Sequence, residues 1–156
     1  MIRRVVFTII TLASAASAFV WFGGGTGAAP DDDGRTVIVL SESEVTFIRR
    51  EMRALLESVQ DMLDASAEGD RARFSAAARR AGMNGPEKDH IPVNLATKLP
   101  IEFKKLGLGT HRAFDKIAAE GPERDMATFA AKRLGEMMTN CTACHSTFRI
   151  KSAPEK

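Results

Sequence analysis

Late in the 156-residue chain, two cysteines and a histidine stand in the order Cys141-Thr142-Ala143-Cys144-His145. The C-x-x-C-H spacing is that of covalent haem c attachment. Two thiols at this spacing add across the two vinyl groups of a porphyrin, giving thioethers, and the adjacent imidazole bonds the iron from one side. On a helix, three residues turn about 300° and four about 400°, so Cys141, Cys144 and His145 share one face and a flat ring can be stapled against it. His145 is then the proximal axial iron ligand. Other readings of the pair are a structural disulfide in an exported protein and an incidental occurrence. A thioredoxin-like redox pair would want a βαβ pattern, which is absent, and a zinc site would want more ligands nearby.

The elements that must position these residues read as helices. Ser41 or Ser43 offers an N-cap with Glu42 and Glu44 in the first turn. Val45, Ile48, Met52, Leu55, Val59 and Met62 then recur at steps of three and four, the seam of a packed helix, with Arg50, Glu51, Glu57 and Asp61 opposite. This helix should end near Glu68-Gly69. Asp70 can cap a shorter second helix through Phe74, Ala77, Ala78 and Ala81, stopped by Gly82. Residues 82–99, with Gly85-Pro86 and Ile91-Pro92, read as a long irregular crossover. A third helix follows Pro100, with Phe103, Leu106, Phe114 and Ile117 as its apolar face. Gly121-Pro122 precedes the last helix, from 123 to about 150, whose stripe is Met126, Ala130, Leu134, Met137, Cys141, Cys144 and Phe148. Thr36–Leu40 is β-prone, but five residues with no partner make no sheet. The expected fold is all-α: an antiparallel four-helix bundle with one longer connection and haem c on its C-terminal helix.

The N-terminal segment reads as a leader. Met1-Ile2-Arg3-Arg4 is followed by an uncharged run over 5–22 and then by glycines, the pattern of a signal peptide, with Ala16-Ser17-Ala18 as a cleavage candidate. The same run approaches the length of an uncleaved membrane anchor. The expected organisation is a leader over 1–29, a flexible linker over 30–41, the helical domain over 42–151 and a tail over 152–156. The chain carries 22 basic and 20 acidic residues, and without Arg3 and Arg4 the remainder is formally neutral. With no basic stripe and no aromatic residues interleaved among Lys and Arg, no nucleic-acid partner is expected. No acid–base constellation beyond the haem motif stands out, so no enzyme is expected.

Cys141-Thr-Ala-Cys144-His145-Ser-Thr-Phe148-Arg149, placed near the C-terminus, resembles the haem motif of the cytochrome c-prime family, the class II cytochromes c. The resemblance covers residues from about 42 to 151. It implies a four-helix bundle with a single haem c in a bacterial periplasm, often a homodimer through the first two helices. In one branch of that family an apolar side chain of the first helix blocks the distal side of a five-coordinate haem that binds nitric oxide or carbon monoxide. In the other a methionine of the same helix is the sixth ligand and the role is electron transfer. The segment Phe47-Ile48-Arg49-Arg50-Glu51-Met52-Arg53-Ala54-Leu55-Leu56 is similar to that first-helix segment, and Met52 falls at the ligand position. The resemblance therefore implies Met52 as distal axial iron ligand, low-spin iron, and redox partner proteins of a periplasmic electron-transport chain. Arg49 and Arg149 stand near the positions where the family places arginines, and arginine pairs with carboxylates such as the haem propionates. Met62 or Met83 could replace Met52 as ligand, and Met126, Met137 and Met138 share the haem's own helix. His90 reads as an exposed loop residue and His111 as a surface or capping residue.

Overall fold

The computed structural model describes residues 32–85, 91–92, 94–121 and 125–154. Among these, β1 (Thr36–Leu40) leads into α1 (Glu42–Glu68) and α2 (Arg71–Ala81). A single-turn α3 (Leu95–Lys98) precedes α4 (Ile101–Glu120) and α5 (Met126–Thr147), and β2 (Phe148–Ser152) follows. The molecule is mostly helical, with one small two-stranded sheet. The leader, Pro86, His90 and Pro122 lie outside the described residues. Among the described residues no helix is long and apolar enough to cross a membrane.

Local chemistry sets the helix limits. Ser41 and Glu44 form a reciprocal capping box: the Glu44 N–H donates to Ser41 Oγ at 3.4 Å, and the Ser41 N–H donates to Glu44 Oε2 at 2.9 Å. Gly69 ends α1 at φ 75°, a left-handed conformation that favours glycine, and the Asp70 N–H turns back to the Ala65 carbonyl at 2.9 Å. Asp70 then caps α2 by accepting from the Arg73 N–H at 2.9 Å. Gly82 stops α2 where a Cβ would collide with the Asp115 carboxylate of α4. Asp125 caps α5 through the Thr128 N–H at 3.0 Å.

Helix α1 packs on α2, α2 on α4, α4 on α5 and α5 on α1, the last pair more sparsely than the others. The larger core cluster gathers Met62, Phe74, Phe114, Ile117, Leu134 and Met137 with the alanines of α2. Small side chains at Ala77, Ala78 and Ala81 allow the α1–α2 approach, and the Phe74 ring meets Phe129 edge-on at 6.1 Å. A second cluster at the β end joins Ile38, Leu40, Val45, Leu95 and Phe148, with Phe103 edge-on to Phe148 at 5.5 Å.

Four features depart from the sequence-based expectation. Thr36–Leu40 is a strand and not part of a flexible linker: it pairs in parallel with Phe148–Ser152, Thr36 opposite Phe148 and Leu40 opposite Ser152. Ile38 and Leu40 point inward while Val39 faces solvent, the alternation of a half-buried strand. Helix α5 accordingly ends at Thr147, not near 150, because Phe148 turns extended (φ −122°, ψ 148°) to enter β2. The 82–99 crossover contains α3. Glu51, placed by periodicity on the polar face of α1, is buried.

Lys98 of α3 reaches back to Glu44, with Nζ 2.8 and 2.9 Å from the two carboxylate oxygens. The Lys98 ammonium, followed by the Ser41 N–H, holds the Glu44 carboxyl below its ordinary value of 4.5. A carboxylate depressed in the folded state stabilises fully above its unfolded pKa, and that contribution is lost as pH falls through the lower folded value. Urea denaturation from neutral pH into the acid range should therefore show a loss of stability below about pH 4.5. Glu44→Gln should remove part of that loss, and an identical acid limb in the variant would refute the assignment.

Candidate cofactor site

Cys141 and Cys144 lie on the inward stripe of α5 that also carries Leu134 and Met137, and both are half-buried. Cys141 packs against the larger core cluster, whereas Cys144 packs against the β-end cluster together with Phe47, Ile48, Phe103 and Leu106. The two thiols thus bridge the two apolar clusters. Burial raises both thiols above their ordinary value of 9.0, and for Cys144 the neighbouring Cys141 adds to the effect. A redox nucleophile or zinc ligand needs the opposite shift, toward thiolate. Among the described residues, no three His, Cys, Asp or Glu side chains converge as a metal-ion site would require.

His145 is exposed and lies about 40° around α5 from Cys141. Arg133, on the other edge of the helix, binds Glu120 of α4 at 2.7 Å. His145, about 120° around α5 from Arg133, is therefore on an edge turned away from Glu120 of α4. On α1, Asp61 binds Arg73 and Arg80 of α2 at 2.7 and 2.9 Å. Met52 lies about half a turn around the helix from Asp61, on the edge away from α2 and toward α5. It is 39% exposed. Met52 and His145 are thus both exposed, on the two helices that meet in the sparse α1–α5 contact, whereas the cysteines turn inward. The groove lined by Lys116, Glu120, Arg133, Glu136 and Asn140 lies on the other side of α5, is filled with ion-paired charges, and has no part in this arrangement.

The other candidates fall elsewhere. Met62, Met126 and Met137 are buried in the larger core, Met138 is exposed on α5, and the Met83 N–H is held by Asp115 at 3.0 Å. His111 is buried and is not a surface residue: Nδ1 donates to the carbonyl of Ala81, the last residue of α2, at 2.7 Å and so caps that helix, and Nε2 stands 3.3 Å from Glu51 Oε1. With both ring nitrogens engaged, it does not offer itself to the cysteine face. Arg49 is exposed about 60° around α1 from Met52. Arg149 is exposed on β2 opposite Val37, and its charge is felt at Asp33.

One contact at the site escaped the sequence reading. Arg35, just before β1, donates through Nη1 to the carbonyl of His145 at 3.3 Å while Nε and Nη2 bind Asp33 at 2.8 and 2.6 Å. The carbonyls of the last helical turn lack helical partners and carry the negative end of the helix dipole, so a guanidinium suits this place. Nothing local signalled a contact spanning 110 positions; only the Asp33–Arg35 spacing was readable.

The residues present fit a covalently held, flat, largely apolar group with anionic edges. Two half-buried thiols on one helical face and the apolar side chains around them supply what such a group needs for attachment and burial. In comparison with known proteins, no family model, no curated protein and no solved structure matches the chain.

Proposed function

We propose that the protein is an exported monohaem c-type cytochrome resembling the cytochrome c-prime family, a periplasmic one-electron carrier built as an antiparallel four-helix bundle. Cys141 and Cys144 hold the haem, and His145 and Met52 are its axial ligands. The observation that supports this reading is the C-x-x-C-H spacing on α5 with both thiols half-buried against the two apolar clusters. When bound, the haem supplies a single iron centre that alternates between ferric and ferrous. The chain's own residues do the rest. Cys141 and Cys144 fix the ring to α5, and the adjacent apolar clusters keep water from it. Arg35 holds the His145 backbone, and Arg49 and Arg149 would pair with the propionates. With donors from His145 and Met52 the iron would stay low-spin in both oxidation states, which would lower reorganisation on transfer. Redox partner proteins would dock over the haem edge, and a homodimer is compatible with the apolar Leu56 and Leu63 left exposed on α1.

The second reading is a five-coordinate haem protein that binds nitric oxide or carbon monoxide, favoured by the exposure of Met52. An absorption spectrum separates the two. Protein matured in a host with haem-attachment machinery should show a Soret band and a low-spin ferric spectrum, and Met52→Ala should convert the iron to high-spin. A high-spin parent that binds carbon monoxide rapidly once reduced would replace the electron-carrier reading with the gas-binding one. The absence of any Soret band would remove both.

A further inference from the structure

Glu51 and His111 form a buried acid–imidazole contact, with both side chains about one-tenth exposed and Oε1 3.3 Å from Nε2. The carbonyl of Ala81 can only accept, so Nδ1 of the same ring carries a proton and donates to it at 2.7 Å. Ala81 is the last residue of α2, where helical carbonyls lack partners. One turn further along α4, Asp115 accepts the Met83 N–H at 3.0 Å. A single imidazole thus ties α4 to the end of α2 and to the middle of α1. Burying such a pair is a poor route to stability, since apolar residues of similar volume do as well or better. Its best-attested use is to fix register.

Helix α1 needs that help. Its apolar arc spans about a third of the circumference, from Met62 and Leu55 on one side to Met52, Leu56 and Leu63 on the other. Leu56 is 68% and Leu63 47% exposed, so hydrophobic burial alone would favour rolling α1 to bring that edge inward. Glu51 lies about 100° around the helix from Met52, and such a roll would tear it from His111. The geometry points to the Glu51–His111 pair as a positioning device that sets the rotation of α1 and thereby presents Met52 to the haem iron. This inference rests on the Met52 ligation proposed above.

The experiment uses the matured haem protein with its covalent haem intact. The double variant Glu51→Leu/His111→Leu replaces the pair with apolar side chains, which costs a fold less than removing one partner alone, and its helical circular dichroism checks that it folds. It is expected to acquire high-spin ferric character at low temperature. Its reduced form should bind carbon monoxide more than about tenfold faster than the parent, because the fraction with an open sixth position limits the rate. Glu51→Gln, which keeps a hydrogen-bonding group beside Nε2, should retain the parent spectrum and slow gas binding. A double variant that melts at a different temperature yet keeps the low-spin spectrum and slow binding would reduce the pair to a structural contact and overturn the inference. Met52→Ala serves as the separate control. If that variant stays low-spin, the ligand lies elsewhere, and the ligation reading and the inference fall together. If it turns high-spin while the double variant does not, only the inference falls.

Discussion

Replacing Cys141 and Cys144 together by alanine is expected to abolish covalent haem completely, a change of kind and not of degree. Each thioether is a bond that survives denaturation, so haem should remain with the parent polypeptide on a denaturing gel and be lost from the double variant. Single replacements should each leave one thioether and a haem-stained band of lower yield. The two positions are only half-buried and the thiol is small, so the loss of packing is within the ordinary range of point substitutions, about 1 kcal/mol each. The double variant should therefore keep its helical circular dichroism, which separates loss of attachment from loss of fold. Retention of haem through denaturation in the double variant would sink the assignment of the motif.

The largest effect on stability is expected at Phe74. Its side chain is fully buried on α2, in the cluster that α1, α4 and α5 also build, and its ring lies edge-on to Phe129. Phe74→Ala removes most of a buried aromatic side chain and leaves a cavity among helices too stiff to collapse onto it, a loss of about 3–5 kcal/mol. Against a total domain stability of about 5–15 kcal/mol, that loss should move the urea midpoint far down or leave part of the chain unfolded at room temperature. Leu56→Ala, on the exposed edge of α1, should change stability by less than about 0.5 kcal/mol. Equal effects of the two substitutions would mean that the core does not lie where α1, α2, α4 and α5 place it.

What could be read from the sequence was what is decided locally. Ser41, Gly69, Asp70, Gly82 and Pro100 act on the residues next to them, so the helix limits near them were legible, as was the C-x-x-C-H spacing on one face of α5. The strand pair was not, because the partner of Thr36 stands at Phe148, at the far end of the chain. Phe148 continues the spacing of the α5 stripe, and periodicity cannot distinguish one more helical turn from a strand that leaves the helix and keeps Phe148 packed inward. Glu51 and His111 were misplaced for a related reason. A charged residue in an amphipathic pattern reads as solvent-facing, and only its partner from another helix makes burial tolerable. The candidate site divides the same way: the two thiols and His145 are close in the chain, whereas Arg35 reaches His145 only in three dimensions.

The β1–β2 pairing also bears on the order in which the molecule assembles. Thr36 and Phe148 are 112 positions apart, whereas the contacts of α1 with α2 and of α4 with α5 join neighbours in the chain. Contacts of long sequence separation carry the larger closure entropy and form late. The two helical hairpins therefore form first, with α5 already displaying its thiols, and the strand pair closes afterwards across the end of that helix. Until it closes, the α1–α5 seam lacks its seal at the β end and the Arg35 guanidinium is not yet on the His145 carbonyl. Were haem attached after export, as proposed above, that interval would be a kinetic window for attachment, which the pairing of β1 with β2 would shut.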